Sequence, residues 1–209
     1  MFETIYYKCW GAATLADGAK CVAEDLGRWY KQWRVTSRLD GELTLERIRP
    51  KGGYPKLKSK GAACRHLAKY GLKLAQQFAN GSDHDNLKIL VITQLVRIYD
   101  IMEENSQFLT EEAKKEISEC CFDMVGAYSV LSAEAFAQGR RLWKFTPKCH
   151  LIEHLFNEQC REFGNPRGYW TYADEDLVGL SIDVAQSCHV RTMVPTALVK
   201  WLILAFDVM

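Results

Sequence analysis

Acidic residues are missing altogether between Arg47 and Lys73, although the 209-residue chain as a whole carries 26 acids against 27 bases. The nine bases of that stretch are Arg47, Arg49, Lys51, Lys56, Lys58, Lys60, Arg65, Lys69 and Lys73, so a net charge of +1 hides a segregated distribution. Such segregation creates a local positive potential of the kind a phosphate backbone or an acidic partner would feel. Also missing is any CxxC pair, which removes support for a thioredoxin-like or zinc-ribbon reading of the eight cysteines. No run approaches the roughly 18 apolar residues of a membrane span. The start, Met1-Phe-Glu-Thr, lacks the basic and apolar regions of a signal peptide. The expectation is a soluble, intracellular protein with no membrane partner, in which most cysteines are buried thiols.

What is present is an ordinary globular composition, 48% hydrophobic and 25% charged, compatible with one compact domain over residues 1–209. Leu15, Ala19, Val22, Leu26, Trp29 and Trp33 alternate in steps of four and three, which places them on one helical stripe. From about 37 to 60 the pattern gives way to Asp-Gly, Arg-Pro, Gly-Gly-Tyr-Pro and scattered lysines, read as a basic connecting loop. Ala63, Leu67, Tyr70, Leu74 and Phe78 predict a second helix closing at Asn80-Gly81. A third is predicted from Leu87 to Met102, and a fourth from Thr110-Glu-Glu to Ala135, with Gly126 as a point where it could bend. Thr146-Pro147 predicts a helix carrying His150 and His154 to about Phe163-Gly164. Asp174-Glu175-Asp176 opens another, with Leu177, Leu180, Val184 and Cys188 inward, and a last runs from about Pro195. With short strands conceivable only at Leu43–Ile48 and Tyr169–Tyr172, the fold reads as mainly α, a single-domain bundle of about seven helices.

Between Trp143 and Trp201 polar and aromatic residues crowd together, and three constellations there and upstream could carry chemistry. His150-Leu-Ile-Glu-His154 has the H-x-x-E-H form of inverted zinc peptidases, and Glu158 lies one further turn along, so His150, His154 and Glu158 are the candidate metal ligands, with Zn2+ as the ion. The plain reading is two histidines at a helix boundary bonded to carboxylates or backbone. Asp174, Glu175 and Asp176 are candidate catalytic carboxylates for Mg2+, although neighbouring helical side chains diverge by about 100° and helix capping explains the triplet equally. Arg47, Arg49, Lys51, Lys56, Lys58, Lys60, Arg65 and Lys69, with Tyr54 and Tyr70 interleaved, are the candidate nucleic-acid contacts, against a solvated basic face. Gly164-Asn-Pro-Arg-Gly is read as a rigid turn rather than a phosphate loop, with Arg167 anchoring a carboxylate such as Asp174 and Trp170 and Tyr172 packing inward.

The ordered segments Tyr54-Pro-Lys-Leu, Lys60-Gly-Ala-Ala-Cys-Arg65-His-Leu, Thr146-Pro-Lys-Cys-His-Leu-Ile-Glu-His154, Asn165-Pro-Arg, Asp174-Glu-Asp-Leu-Val-Gly179 and Ser187-Cys-His resemble a large, uncharacterised, repetitive family of mobile-element-like proteins of protist genomes, over residues 50–207. More distantly, Pro147-Lys-Cys-His150 followed by an aromatic and acidic segment resembles the C-terminal part of RNase H-fold cut-and-paste transposases. That resemblance implies that Asp174 or Glu175 corresponds to the last catalytic acid and that the isolated chain is catalytically incomplete. It implies nucleic acid as the partner and a nuclear location. The alternatives are a non-catalytic scaffold meeting an acidic protein, and a zinc-stabilised helical domain.

Overall fold

In the computed structural model of the chain, the described residues are 2–6, 9–49, 53–170 and 181–207, with 204–207 as backbone only. They are mainly helical, and none of them is in a strand. Nine α-helices have defined ends: α1 Phe2–Tyr6, α2 Leu15–Gln32, α3 Leu45–Ile48, α4 Gly61–Gln77, α5 Asp83–Glu104, α6 Glu111–Ala137, α7 Pro147–His154, α8 Cys160–Glu162 and α9 Met193–Asp207. Residues 181–186 are helical as well, beside the undescribed stretch 171–180. The number exceeds the expected seven because α1, α3 and α8 are one turn or little more, too short for a hydrophobic period to reveal.

Side-chain oxygens set most of the starts. Thr14, Thr44, Ser82 and Thr110 each accept a hydrogen bond from the backbone N–H three residues on, those of Asp17, Arg47, Asp85 and Ala113. The candidate strand Leu43–Ile48 is instead an extended Leu43-Thr44 leading into the short helix Leu45–Ile48, because Thr44 satisfies the first-turn donor that a strand would have offered to a neighbour. Tyr169 and Trp170 of the other candidate strand are not extended in a sheet either, and its remaining residues lie outside the described ones. Thr146 takes the N-cap position of α7 ahead of Pro147, but its hydroxyl caps no N–H. α4 ends at Gln77, earlier than Asn80-Gly81, and Gly81 at φ +82° belongs instead to the turn into the Ser82 cap. α6 runs through Gly126 without interruption.

The described residues divide into two compact units, 1–169 and 170–209. The first holds two hydrophobic clusters. One gathers Ile5, Val22, Leu26, Trp29, Leu67, Tyr70 and Leu74 from α1, α2 and α4. The other gathers Ile98, Ile101, Ile117, Cys121, Leu131, Phe156 and Cys160 from α5, α6 and the chain after α7, and Trp143 packs against both. Among the described residues α6 alone is long and apolar enough by composition to pass for a membrane span, a property that buried core helices share; Ile117, Cys121 and Leu131 on it are fully buried in the second cluster. Trp33, at the end of the predicted apolar stripe, is 65% exposed, so the stripe stops one turn earlier. Cys120, Cys121 and Cys160 are buried, Cys64 is exposed and the other four are half-buried; no disulfide forms. In the second unit Val184 is buried and Lys200 Nζ donates to Ser187 Oγ at 2.6 Å.

One ion pair ties the first cluster to pH. Burial pushes the Asp25 carboxyl up, but the Lys73 ammonium at 2.8 Å and the Tyr70 hydroxyl at 3.1 Å outweigh it and hold Asp25 below its ordinary 3.8. A carboxyl whose folded value is depressed adds stability above the unfolded value and loses it as pH falls through the folded one. Lys73→Met is therefore expected to cost about 1 kcal/mol at neutral pH. That difference should shrink in urea melts taken below pH 4.

Candidate functional site

The basic stretch that dominates the sequence is largely committed to intramolecular partners. Arg47 donates from Nε to the Lys58 carbonyl at 2.9 Å and from its guanidinium to the carbonyls of Asp40 and Glu42, which fastens the loop on both sides of α3. Arg49 donates to the Gly53 carbonyl at 2.9 Å and lies 5.0 Å over the Phe2 ring. Arg65 and Lys69, one turn apart on α4, each reach an acid of α5 at 2.7 Å, Glu103 and Asp100. Lys51 lies outside the described residues. Lys56, Lys58 and Lys60 are exposed, and Lys56 and Lys58 make no ion pair among the described residues.

Lys56 lies at the edge of a cavity of about 960 Å3, and there the unpaired charge collects. The cavity is formed by six separated pieces of chain: the start of α1, the 53–56 loop, α4, α5, Tyr128 of α6, and the segment from Leu142 to Leu151. On α4 the small residues Gly71 and Ala75, one turn apart, leave room that longer side chains would fill. Phe2, Tyr54, Tyr128, Leu142 and Trp143 make the wall mainly apolar and aromatic. Lys56, Lys144 and Lys148 are exposed along it and make no ion pair among the described residues, and Lys144 Nζ stands 5.6 Å from the Tyr54 ring centre. The fourth lysine, Lys88, is already neutralised, paired with Asp85 on its own helix and 3.6 Å from Glu3.

Glu3 and Lys88 on the cavity wall belong to a polar network that extends away from it through His84, Asp85 and Glu134 and fixes the wall. Glu3, only 7% exposed, accepts from Trp143 Nε1 at 2.7 Å and pairs with His84 Nε2 at 3.2 Å, while His84 Nδ1 faces Glu134 at 3.2 Å. Asp85 accepts from the Asn80 backbone N–H at 2.8 Å; burial pushes its carboxyl up, and the Lys88 and Asn80 bonds bring it below the ordinary value. Trp143 itself has φ +51°, a left-handed conformation that costs a bulky residue about 1–3 kcal/mol. The indole bond to Glu3 and an edge-to-face contact with Tyr128 at 5.3 Å hold it there. Tyr128 is anchored in turn by donating to the Lys144 carbonyl at 3.2 Å, and burial pushes its hydroxyl up to about 12. Three lysines are thus presented beside a pre-formed aromatic wall.

The other candidates separate. On α7 His150 is exposed and His154 half-buried, with their Nε2 atoms 2.9 Å apart. Glu158 lies 2.9 Å from His154 Nδ1, on the far side of the ring from His150, so it does not join the two Nε2 atoms around one point. No three His, Cys, Asp or Glu side chains gather as a metal site among the described residues. Cys160, further along the same stretch, is fully buried and donates to the Phe156 carbonyl. Asp174, Glu175 and Asp176 lie outside the described residues, as does Tyr172. Arg167, read as an anchor for Asp174, reaches toward the Glu103 carbonyl at 3.5 Å.

Two residues that matter most here were not singled out from the sequence. Glu3 has no local signal, since its partners lie 81 and 140 positions away. Asn165 is 3% exposed and donates from one amide nitrogen toward the carbonyls of Met102, Asn105 and Ser106, closing the C-terminal end of α5. Beside it Gly164, at φ +85°, lets the chain pass where a Cβ would come 2.5 Å from the Gln107 carbonyl oxygen.

No protein-family model, curated protein or solved structure matches the chain.

Proposed function

We propose that the protein is a non-catalytic helical module that binds single-stranded nucleic acid at the lysine-edged cavity. Supporting this is the convergence of Lys56, Lys144 and Lys148, exposed and without acidic partners among the described residues, on one aromatic wall that includes Tyr54. Single-strand binding requires cations spaced along a backbone and rings on which bases stack. A cavity of about 960 Å3 is at the upper end of ligand-site sizes. It can take an unstacked base, whereas a duplex offers such a site only its outer phosphates. The sequence resemblance to transposase-like proteins of mobile elements supports the same ligand class and a nuclear setting. It differs from the sequence reading in place: Arg47, Arg49, Arg65 and Lys69 hold the fold, and Lys144 and Lys148 take over as contacts.

Fluorescence anisotropy with a labelled single strand and with the corresponding duplex tests this reading. The single strand is expected to bind at least tenfold more tightly, with affinity falling as salt rises. Equal affinities, or binding indifferent to salt, contradict it.

A second reading, a protein-interaction module, is favoured by one observation. Phe122, Val130 and Phe136 of α6 are 76%, 45% and 84% exposed, apolar surface that a purely nucleic-acid-binding helix has no need of.

A further inference from the structure

We infer that His150 and His154 form a two-histidine surface site for a divalent transition-metal ion of tetragonal preference, with Ni2+ and Cu2+ as the chemical class. This is independent of the lysine-edged cavity.

His154 Nδ1 lies 2.9 Å from Glu158 Oε1 and His150 Nδ1 lies 3.5 Å from Glu153 Oε2. These contacts put a carboxylate beside the outer nitrogen of each ring. The two Nε2 atoms face each other at 2.9 Å with the ring planes 72° apart, so between the neutral rings one Nε2 donates and the other accepts. An ion bound to both takes the place of that shared proton, which moves to the Nδ1 beside its carboxylate. Carboxylates on the outer nitrogens are what a metal-binding imidazole uses to fix its tautomer and orientation.

The spacing selects the ion. With metal–nitrogen bonds of about 2.05 Å, a separation of 2.9 Å subtends about 90° at the metal. A tetrahedral ion such as Zn2+ would need the nitrogens about 3.3 Å apart. Right-angled neighbours belong to square-planar and octahedral coordination, the preference of Cu2+ and Ni2+ with imidazole ligands. Glu153, the glutamate of the H-x-x-E-H pattern, sits on the Nδ1 side of His150 and so cannot serve a metal-bound water as it does in the peptidases. The remaining coordination positions face solvent, since the two histidine side chains are 69% and 39% exposed.

Ni2+ is the probe, because it does not oxidise the eight thiols. Calorimetric titration of the whole chain is expected to show one equivalent bound, lost in His150→Gln and His154→Gln and weakened about tenfold in Glu158→Gln. Its visible spectrum should lack thiolate charge-transfer bands. These exposed substitutions should leave the far-ultraviolet circular dichroism unchanged, which separates loss of the site from loss of the fold. Binding that survives both histidine substitutions, a thiolate band, or no binding at millimolar Ni2+ overturns the inference.

Discussion

Reversing Lys56, Lys144 and Lys148 together to glutamate is expected to lower single-strand affinity about a hundredfold at ~100 mM salt, and to reduce the slope of log affinity against log salt by about 2. The figure follows from the counterions released at each phosphate contact, about 0.7 per contact on a single strand. All three side chains are exposed and make no ion pair among the described residues, so their loss should leave the melting temperature within a few degrees. The matched control is Arg65 and Lys69 to glutamine. These belong to the same basic stretch but are held by Glu103 and Asp100, so their removal should barely change affinity. A reversed ranking, with the α4 pair dominating, would return the interface to the stretch as the sequence presents it.

The largest effect on stability is expected at Asn165→Ala. One buried amide serves three carbonyls around the end of α5, and its Oδ1 accepts from the Arg167 backbone N–H at 3.0 Å. Alanine removes these bonds while leaving the carbonyls in a site that water reaches poorly. A loss of about 3 kcal/mol follows from the cost of leaving buried acceptors unpaired. For a chain of this size that lowers the melting temperature by about 6–12 °C. Thermal denaturation followed by circular dichroism measures it, and Asn165→Asp should be no better, since a carboxylate facing three carbonyls has nothing to donate.

The helical periods of α2, α4, α5 and α6 were legible because each buries one face against a neighbour, and a face recurs in sequence at a fixed interval. α3 was not, since four residues are too few for a period and only the Thr44 hydroxyl marks it. The acid-free stretch was visible as charge, but the use of each charge was not. A run of bases reads the same whether a guanidinium bonds a backbone carbonyl, as at Arg47, or faces solvent, as Lys58 does. The cavity escaped for a different reason: it joins residues 2–4, 53–56, 88 and 142–151, and no local pattern links Glu3 to Trp143. His150 and His154 were legible as a pair because helical spacing alone brings them together. Their 2.9 Å separation, which chooses between ions, was not.

A base of a bound single strand is expected to enter the cavity beside Tyr54 and Trp143. Photocrosslinking with a strand carrying one 5-bromouracil, followed by mass spectrometry of the digested complex, tests it most directly. Crosslinks confined to the peptides holding residues 53–56 and 142–151, and lost in Tyr54→Ala, are the predicted result. Crosslinks on α6 around Phe122, or on α4 around Arg65 and Lys69, would contradict it.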